Sequence, residues 1–138
     1  MTTLLLDASV LLAAFDPEDD HYEPARALLE DDEVTLATLD LARFEIANVA
    51  VRAWRAPESV APLLAMVERL ADDGGVLLST NTLLMRAAEI AERHTISVYD
   101  AAYAAAADEG GHRLISCDVR DLVSKGLALP PTPAGQEE

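Results

Sequence analysis

The leucine run 4–6 stops at Asp7, and the chain then repeats one arrangement: a short apolar run, a polar stop, a helical pattern. Such runs fall at 3–6, 34–37, 76–78 and 113–116, with a weaker one at 127–129. Each is too short for an amphipathic helix and has the near-continuous hydrophobicity of a strand buried on both faces. Helical patterns lie between them. The first covers 10–15, led by Ser9 and closed by Asp16-Pro17. The second covers 21–29 and leaves through Glu30-Asp31-Asp32-Glu33, acids that a helix C-terminus disfavours. From Asp40 to Trp54, Leu41, Phe44, Ala47, Val51 and Trp54 recur at helical spacing. Pro57 suits the first turn of a helix running to about Leu70, followed by a turn at Asp72-Asp73-Gly74-Gly75. Thr80 can cap a helix to about Arg93, in which Glu89 and Arg93 form an i,i+4 pair. Ser97 and Asp100 have capping-box spacing and open an alanine-rich helix to Glu109, ended by Gly110-Gly111.

Short strands alternating with helices imply right-handed crossovers and a parallel sheet covered on both faces. The expected architecture is a three-layer α/β/α domain over residues 1–129, with a mostly parallel sheet of four to five strands. The proline-rich stretch 130–138 is expected to be a flexible tail. In such sheets ligands bind beyond the carboxyl ends of the strands. Asp7 and Asp118 each stand just after a strand, so both would face one crevice if those strands are near neighbours.

Charge narrows the function. Ten Lys and Arg stand against 25 Asp and Glu, a formal net charge of -15. Binding of nucleic acid or membrane by bulk positive charge is excluded; local, metal-assisted chemistry on a polyanion is not. No apolar stretch reaches membrane-spanning length, and Met1-Thr2-Thr3 has no basic leader character, so no membrane association is expected. Cys117 is the only cysteine, which rules out an internal disulfide and a thiolate-built metal site and fits a cytoplasmic setting.

Four acids stand out because their surroundings are apolar: Asp7 after the leucines, Glu45 within an apolar helix, Asp100 at the head of the alanine helix, and Asp118 after Leu114-Ile115-Ser116-Cys117. Carboxylates are rarely buried without a partner, and Lys125 is the only lysine. A divalent cation answers several carboxylates sharing one pocket, and oxygen-only ligation suits Mg²⁺ or Mn²⁺. Plain structural roles stay open beside this. Asp7, Asp100 and Asp118 could each cap a helix, and Glu45 could lie on a wet stripe with Asn48, Arg52 and Arg55. His21, His94 and His112 fall near loops or helix ends and are expected in solvent. Tyr99 and Tyr103 share a helix face suited to packing.

These segments resemble the PIN domain family and, within it, the VapC toxins of VapBC toxin–antitoxin modules. Leu4-Leu5-Leu6-Asp7-Ala8-Ser9-Val10-Leu11 is similar to the family's first strand and first acid. Phe44-Glu45-Ile46-Ala47-Asn48-Val49 is similar to its acidic helix, in which asparagine follows the second acid by three residues. Ser97-Val98-Tyr99-Asp100-Ala101-Ala102-Tyr103 resembles the segment of the third acid, and the stretch from Leu114 through Asp118 to Leu122 that of the fourth. Ser116 stands where many relatives have threonine. The likeness runs from about residue 3 to residue 129.

The resemblance implies an acidic pocket of Asp7, Glu45, Asp100 and Asp118. Mg²⁺, with Mn²⁺ able to substitute, would be held mainly by Asp7, Asp100 and Asp118, with Glu45 direct or through water. Ser9, Asn48 and Ser116 would support it, and Asp121 would neighbour the fourth acid. It further implies RNA cleavage, a homodimer and neutralisation by a VapB-type antitoxin. An apolar helical patch including Phe15, Trp54, Tyr99 and Tyr103 is expected to pair the subunits. Two other readings compete. One is a catalytically silent PIN-like module binding RNA or protein. The other is an aspartate-based phosphoryl-transfer domain, against which Ser9 occupies the place of a second N-terminal acid.

Overall fold

The computed structural model describes residues 3–72 and 75–132. Four parallel strands, β1 (Thr3–Leu6), β2 (Thr35–Leu39), β3 (Val76–Leu77) and β4 (Arg113–Ile115), lie in the order β3-β2-β1-β4. The chain steps from β1 outward to β2 and β3, then returns to β4 on the other side of β1. Right-handed crossovers therefore put the helices of the outward path on one face and those of the return on the other. Between β1 and β3 lie α1 (Ala8–Phe15), α2 (Tyr22–Leu29), α3 (Leu41–Asn48) and α4 (Val60–Asp72), which pack on one another. Between β3 and β4 lie α5 (Asn81–His94) and α6 (Val98–Gly110), packed as a close pair. Alanines 101, 102 and 104–107 of α6 are all buried, and their small side chains permit that close approach. The fold is α/β, as expected, with every strand parallel. Residues 127–129 add only an isolated bridge between Leu129 and Ile115.

The central strand β1 has the most to bury, and Leu4, Leu5 and Leu6 are fully enclosed. The second strand starts and ends later than its apolar run suggests. Thr38 is buried without penalty because its hydroxyl donates to the Leu6 carbonyl at 2.7 Å. Gly75 permits a close approach beside that strand: a Cβ there would lie 2.5 Å from the Leu36 carbonyl oxygen.

The helix expected over 40–54 is not uniform. α3 gives way to a π turn at Val49–Ala53, and Arg55, at φ 54°, takes the left-handed conformation that ends it. Pro57–Ser59 is a 3₁₀ turn leading into α4. Thr80 and Ser97 cap α5 and α6 as expected, and Gly111 at φ 69° closes α6. The Glu89–Arg93 pair does not form; nearby Arg86 crosses to Asp108 of α6 instead. Phe15 and Trp54 are not an open patch, because they stack on each other with centroids 6.1 Å apart. Two residues of the expected turn, Asp73 and Gly74, and most of the expected tail, 133–138, lie outside the described residues.

Candidate active site

The strand order reverses between β1 and β4, and the crevice at their carboxyl ends is where an α/β sheet presents a site. Asp7 directly follows β1, and its N–H donates to the Ile115 carbonyl at the end of β4 at 3.2 Å. Asp118 follows β4 by three residues. Glu45 comes from the second turn of α3 and Asp100 from the first turn of α6. All four line one cavity of about 180 Å³, together with Ser9, Val49 and Tyr103. The crossover rule thus gathers carboxylates separated by more than a hundred residues of chain. Val49 opens the π turn, a local irregularity that recurs at functional sites because it re-aims side chains.

Asp7 is 5% exposed and caps α1. Its Oδ1 accepts from the Ser9 N–H at 3.0 Å, the Ser9 hydroxyl at 2.5 Å and the Val10 N–H at 3.4 Å. Even so, burial pushes its carboxyl up to about 6, against those hydrogen bonds and with Glu45 adding to the rise. Ser9 is central to this corner: its hydroxyl also accepts from the Cys117 N–H at 2.9 Å and lies 3.4 Å from that of Ser116. Buried Ser116 accepts from the Asp118 N–H at 2.9 Å, fixing the turn that presents Asp118. Ser9 and Ser116 therefore brace Asp7 and Asp118 from below. The Cys117 thiol is pushed up to about 11, chiefly by burial.

Asp118 caps the π turn Val119–Val123 by accepting from the Asp121 N–H at 2.9 Å. That bond brings Asp121 inward. Carboxylate oxygens of Asp100, Asp118 and Asp121 come within 4.8 Å of one another. Asp7 and Glu45 line the cavity but lie outside this tight trio, whereas Asp121 belongs to the trio without lining the cavity. Burial raises the Asp100 carboxyl, and the charges of Asp118 and Asp121 raise it further. Among the described residues Arg120 pairs with this trio, with Nε 3.4 Å from Asp121 and its side chain mostly in solvent. Capping and clustering thus coexist at Asp118.

The residue that the sequence pattern missed is Tyr103. It is 2% exposed, and its hydroxyl donates to Glu45 Oε1 at 2.7 Å. Burial raises the Glu45 carboxyl; the Tyr103 bond opposes that rise and Asp100 adds to it. Tyr99, one turn earlier, is 63% exposed. The two tyrosines have different environments although their spacing predicts a shared face. Asn48 is exposed beside Glu45 and Tyr99, outside the acidic cavity. None of His21, His94 and His112 lines that cavity.

The donor set suits a hard divalent cation. It is entirely oxygen, it concentrates negative charge, and burial together with the charges of Asp118 and Asp121 raises the Asp100 carboxyl. Among the described residues, no helix is long and apolar enough to cross a membrane.

Comparisons with known proteins find relatives in sequence and fold. Ribonuclease VapC3 of Pyrobaculum aerophilum is 36% identical over 129 residues, covering 91% of this chain and 96% of that protein. VapC20 of Mycobacterium tuberculosis, described as a sarcin–ricin loop cleaving toxin, superposes with a TM-score of 0.75 at 20% identity, over 89% of this chain and 95% of that one. A toxin–antitoxin complex from Klebsiella pneumoniae contains a chain of the same fold, with a TM-score of 0.68 at 16% identity, over 94% of this chain and 98% of that one. The PIN domain family model matches residues 4–124, and on that match and the VapC3 relationship the chain belongs to the PIN domain family.

Proposed function

We propose that this chain is a divalent-metal-dependent endoribonuclease, the toxin of a type II toxin–antitoxin pair acting in the cytoplasm. The observation that carries the reading is the convergence of Asp7, Glu45, Asp100 and Asp118 on one cavity, with Asp121 drawn into a trio with Asp100 and Asp118. The relationship to a protein named as a ribonuclease supports the substrate class. Asp100, Asp118 and Asp121 would hold Mg²⁺ or Mn²⁺, with Asp7 at the cavity wall. When bound, the cation would acidify water and neutralise charge developing on the phosphodiester. Glu45, one oxygen held by Tyr103, keeps its other oxygen for the attacking water. A bond forms from that water to phosphorus as the bond to the departing ribose oxygen breaks, and Glu45 takes the proton. Ser9 and Ser116 act as positioning residues.

The same charge suits an antitoxin. An arginine can span two carboxylates by its fork geometry, so a basic segment of a VapB-type partner would fill the pocket and exclude RNA. A homodimer would keep Tyr99 of the expected patch and leave out Phe15, Trp54 and Tyr103. Phe44 is 71% exposed and, with Leu41, Leu84, Val98 and Tyr99, frames an apolar groove of about 280 Å³ on α3, α5 and α6, next to the acids. A second copy related by two-fold symmetry would cover it.

The test is incubation of the purified chain with total RNA in Mg²⁺, in Mn²⁺ and in excess chelator. Discrete fragments that require metal are expected. Intact RNA in every condition would favour the catalytically silent module.

A further inference from the structure

A second cavity lies away from the acids, at the amino end of β4, between α5, α6 and the segment leading to Leu129. It measures about 480 Å³, within the range of small-molecule sites. Its rim runs against the character of the chain. Arg86, Arg93, His94, His112 and Arg113 line it, and Asp108 is its one acid. That makes five of 14 lining residues arginine or histidine, in a protein with ten Lys and Arg against 25 Asp and Glu.

Helix geometry accounts for only part of this. The C-terminal dipole of α5 favours Arg93 and His94 in its last turn. It does not account for Arg86, nearly two turns earlier, or for His112 and Arg113, which arrive from the strand side. Arg86 is braced by Asp108. Lys125 donates to the His94 carbonyl at 2.5 Å, which brings one more cation to the edge. His112 is seated against Gly110, where a Cβ would meet its Nε2 at 2.5 Å. Ile90, Leu114 and Leu129 supply part of its apolar lining.

The geometry points to a second binding site, for a phosphate monoester of the class of a nucleoside monophosphate. Guanidinium forks engage phosphate oxygens in pairs, and the imidazoles add N–H donors. The apolar side chains take the face of the base. Because β4 runs from Arg113 toward Asp118, this site and the acidic crevice lie at opposite ends of one strand. It does not depend on the chain being a nuclease.

The experiment is an NMR titration of the full-length, metal-free, ¹⁵N-labelled protein with AMP, adenosine, inorganic phosphate and a hexaglutamate peptide. AMP is expected to bind saturably, more tightly than phosphate or adenosine, with amide shifts at His94, His112 and Arg113. Arg93→Ala should weaken AMP binding about tenfold, the effect of losing one charge-assisted fork. Gly110→Ala, which removes no charge but displaces the His112 ring, should also weaken it, while Glu45→Gln should leave it unchanged. Spectra of the free variants confirm that each is folded. Absence of saturable AMP binding, phosphate binding as tight as AMP, tighter binding of hexaglutamate, or affinity indifferent to both Arg93→Ala and Gly110→Ala would each overturn the assignment.

Discussion

Replacing Asp7 by asparagine should stabilise the metal-free protein while weakening its response to metal. Asp7 is almost fully buried, and its carboxyl is pushed up from 3.8 to about 6. A tenfold change in a proton equilibrium is worth about 1.4 kcal/mol, so ionised Asp7 costs the fold about 3 kcal/mol at neutral pH. The sign follows from proton counting. Between the unfolded value of 3.8 and the folded value of about 6, the folded chain keeps a proton that the unfolded chain has released. Stability therefore falls as pH rises through that window and levels off above it. Asparagine keeps an Oδ1 acceptor for Ser9 and Val10 and carries no charge. Allowing about 1 kcal/mol for a less well bonded amide leaves a gain of about 2 kcal/mol. With a urea slope of about 2 kcal/mol/M, the unfolding midpoint at neutral pH should rise by about 1 M. By the same figures the gain should shrink as pH falls, vanish at about pH 4.5 and reverse below it, and added Mn²⁺ should stabilise the wild type more than the variant. Equal or lower stability of Asp7→Asn at neutral pH, or a difference that ignores pH, would refute the burial argument.

Tyr103→Phe removes the donor to Glu45 and should slow RNA cleavage about tenfold at saturating Mn²⁺, at a cost of about 1 kcal/mol in urea unfolding. Unchanged cleavage would show that Glu45 needs no positioning. Leu5→Ala, in the fully enclosed centre of β1, should cost about 3–5 kcal/mol by denaturant titration, the range for a leucine cavity. Phe44→Glu places a charge in the apolar groove and should shift light-scattering mass from dimer to monomer. A wild type that is monomeric at every concentration would remove the dimer.

The parts of this account legible in the sequence are those written in local contrast. Asp7, Glu45, Asp100 and Asp118 each interrupt an apolar pattern, and the strand–helix alternation sends the strand-end acids to one edge of a parallel sheet. Asp100 and Thr80 lie at helix starts that capping chemistry marks in advance. What stayed hidden depends on partners distant in the chain. Tyr103 meets Glu45 across 58 residues, so helical spacing could mark it as inward but not as a donor. Thr38 is read as a strand end until the Leu6 carbonyl accepts its hydroxyl. The stack of Phe15 on Trp54 removes two aromatics from the surface that composition had offered to a second subunit. The π turn after Asn48 has no marker in an apolar helical pattern, since one extra residue per turn leaves the periodicity of so short a segment almost unchanged.

Calorimetric titration with Mn²⁺ tests most directly the claim that these acids form a cation site. The wild type should bind Mn²⁺ saturably, and Asp100→Asn and Asp118→Asn should each lose at least about tenfold in affinity, since each removes one charged ligand from the trio. Equal Mn²⁺ affinity in the wild type and both folded variants would contradict the account.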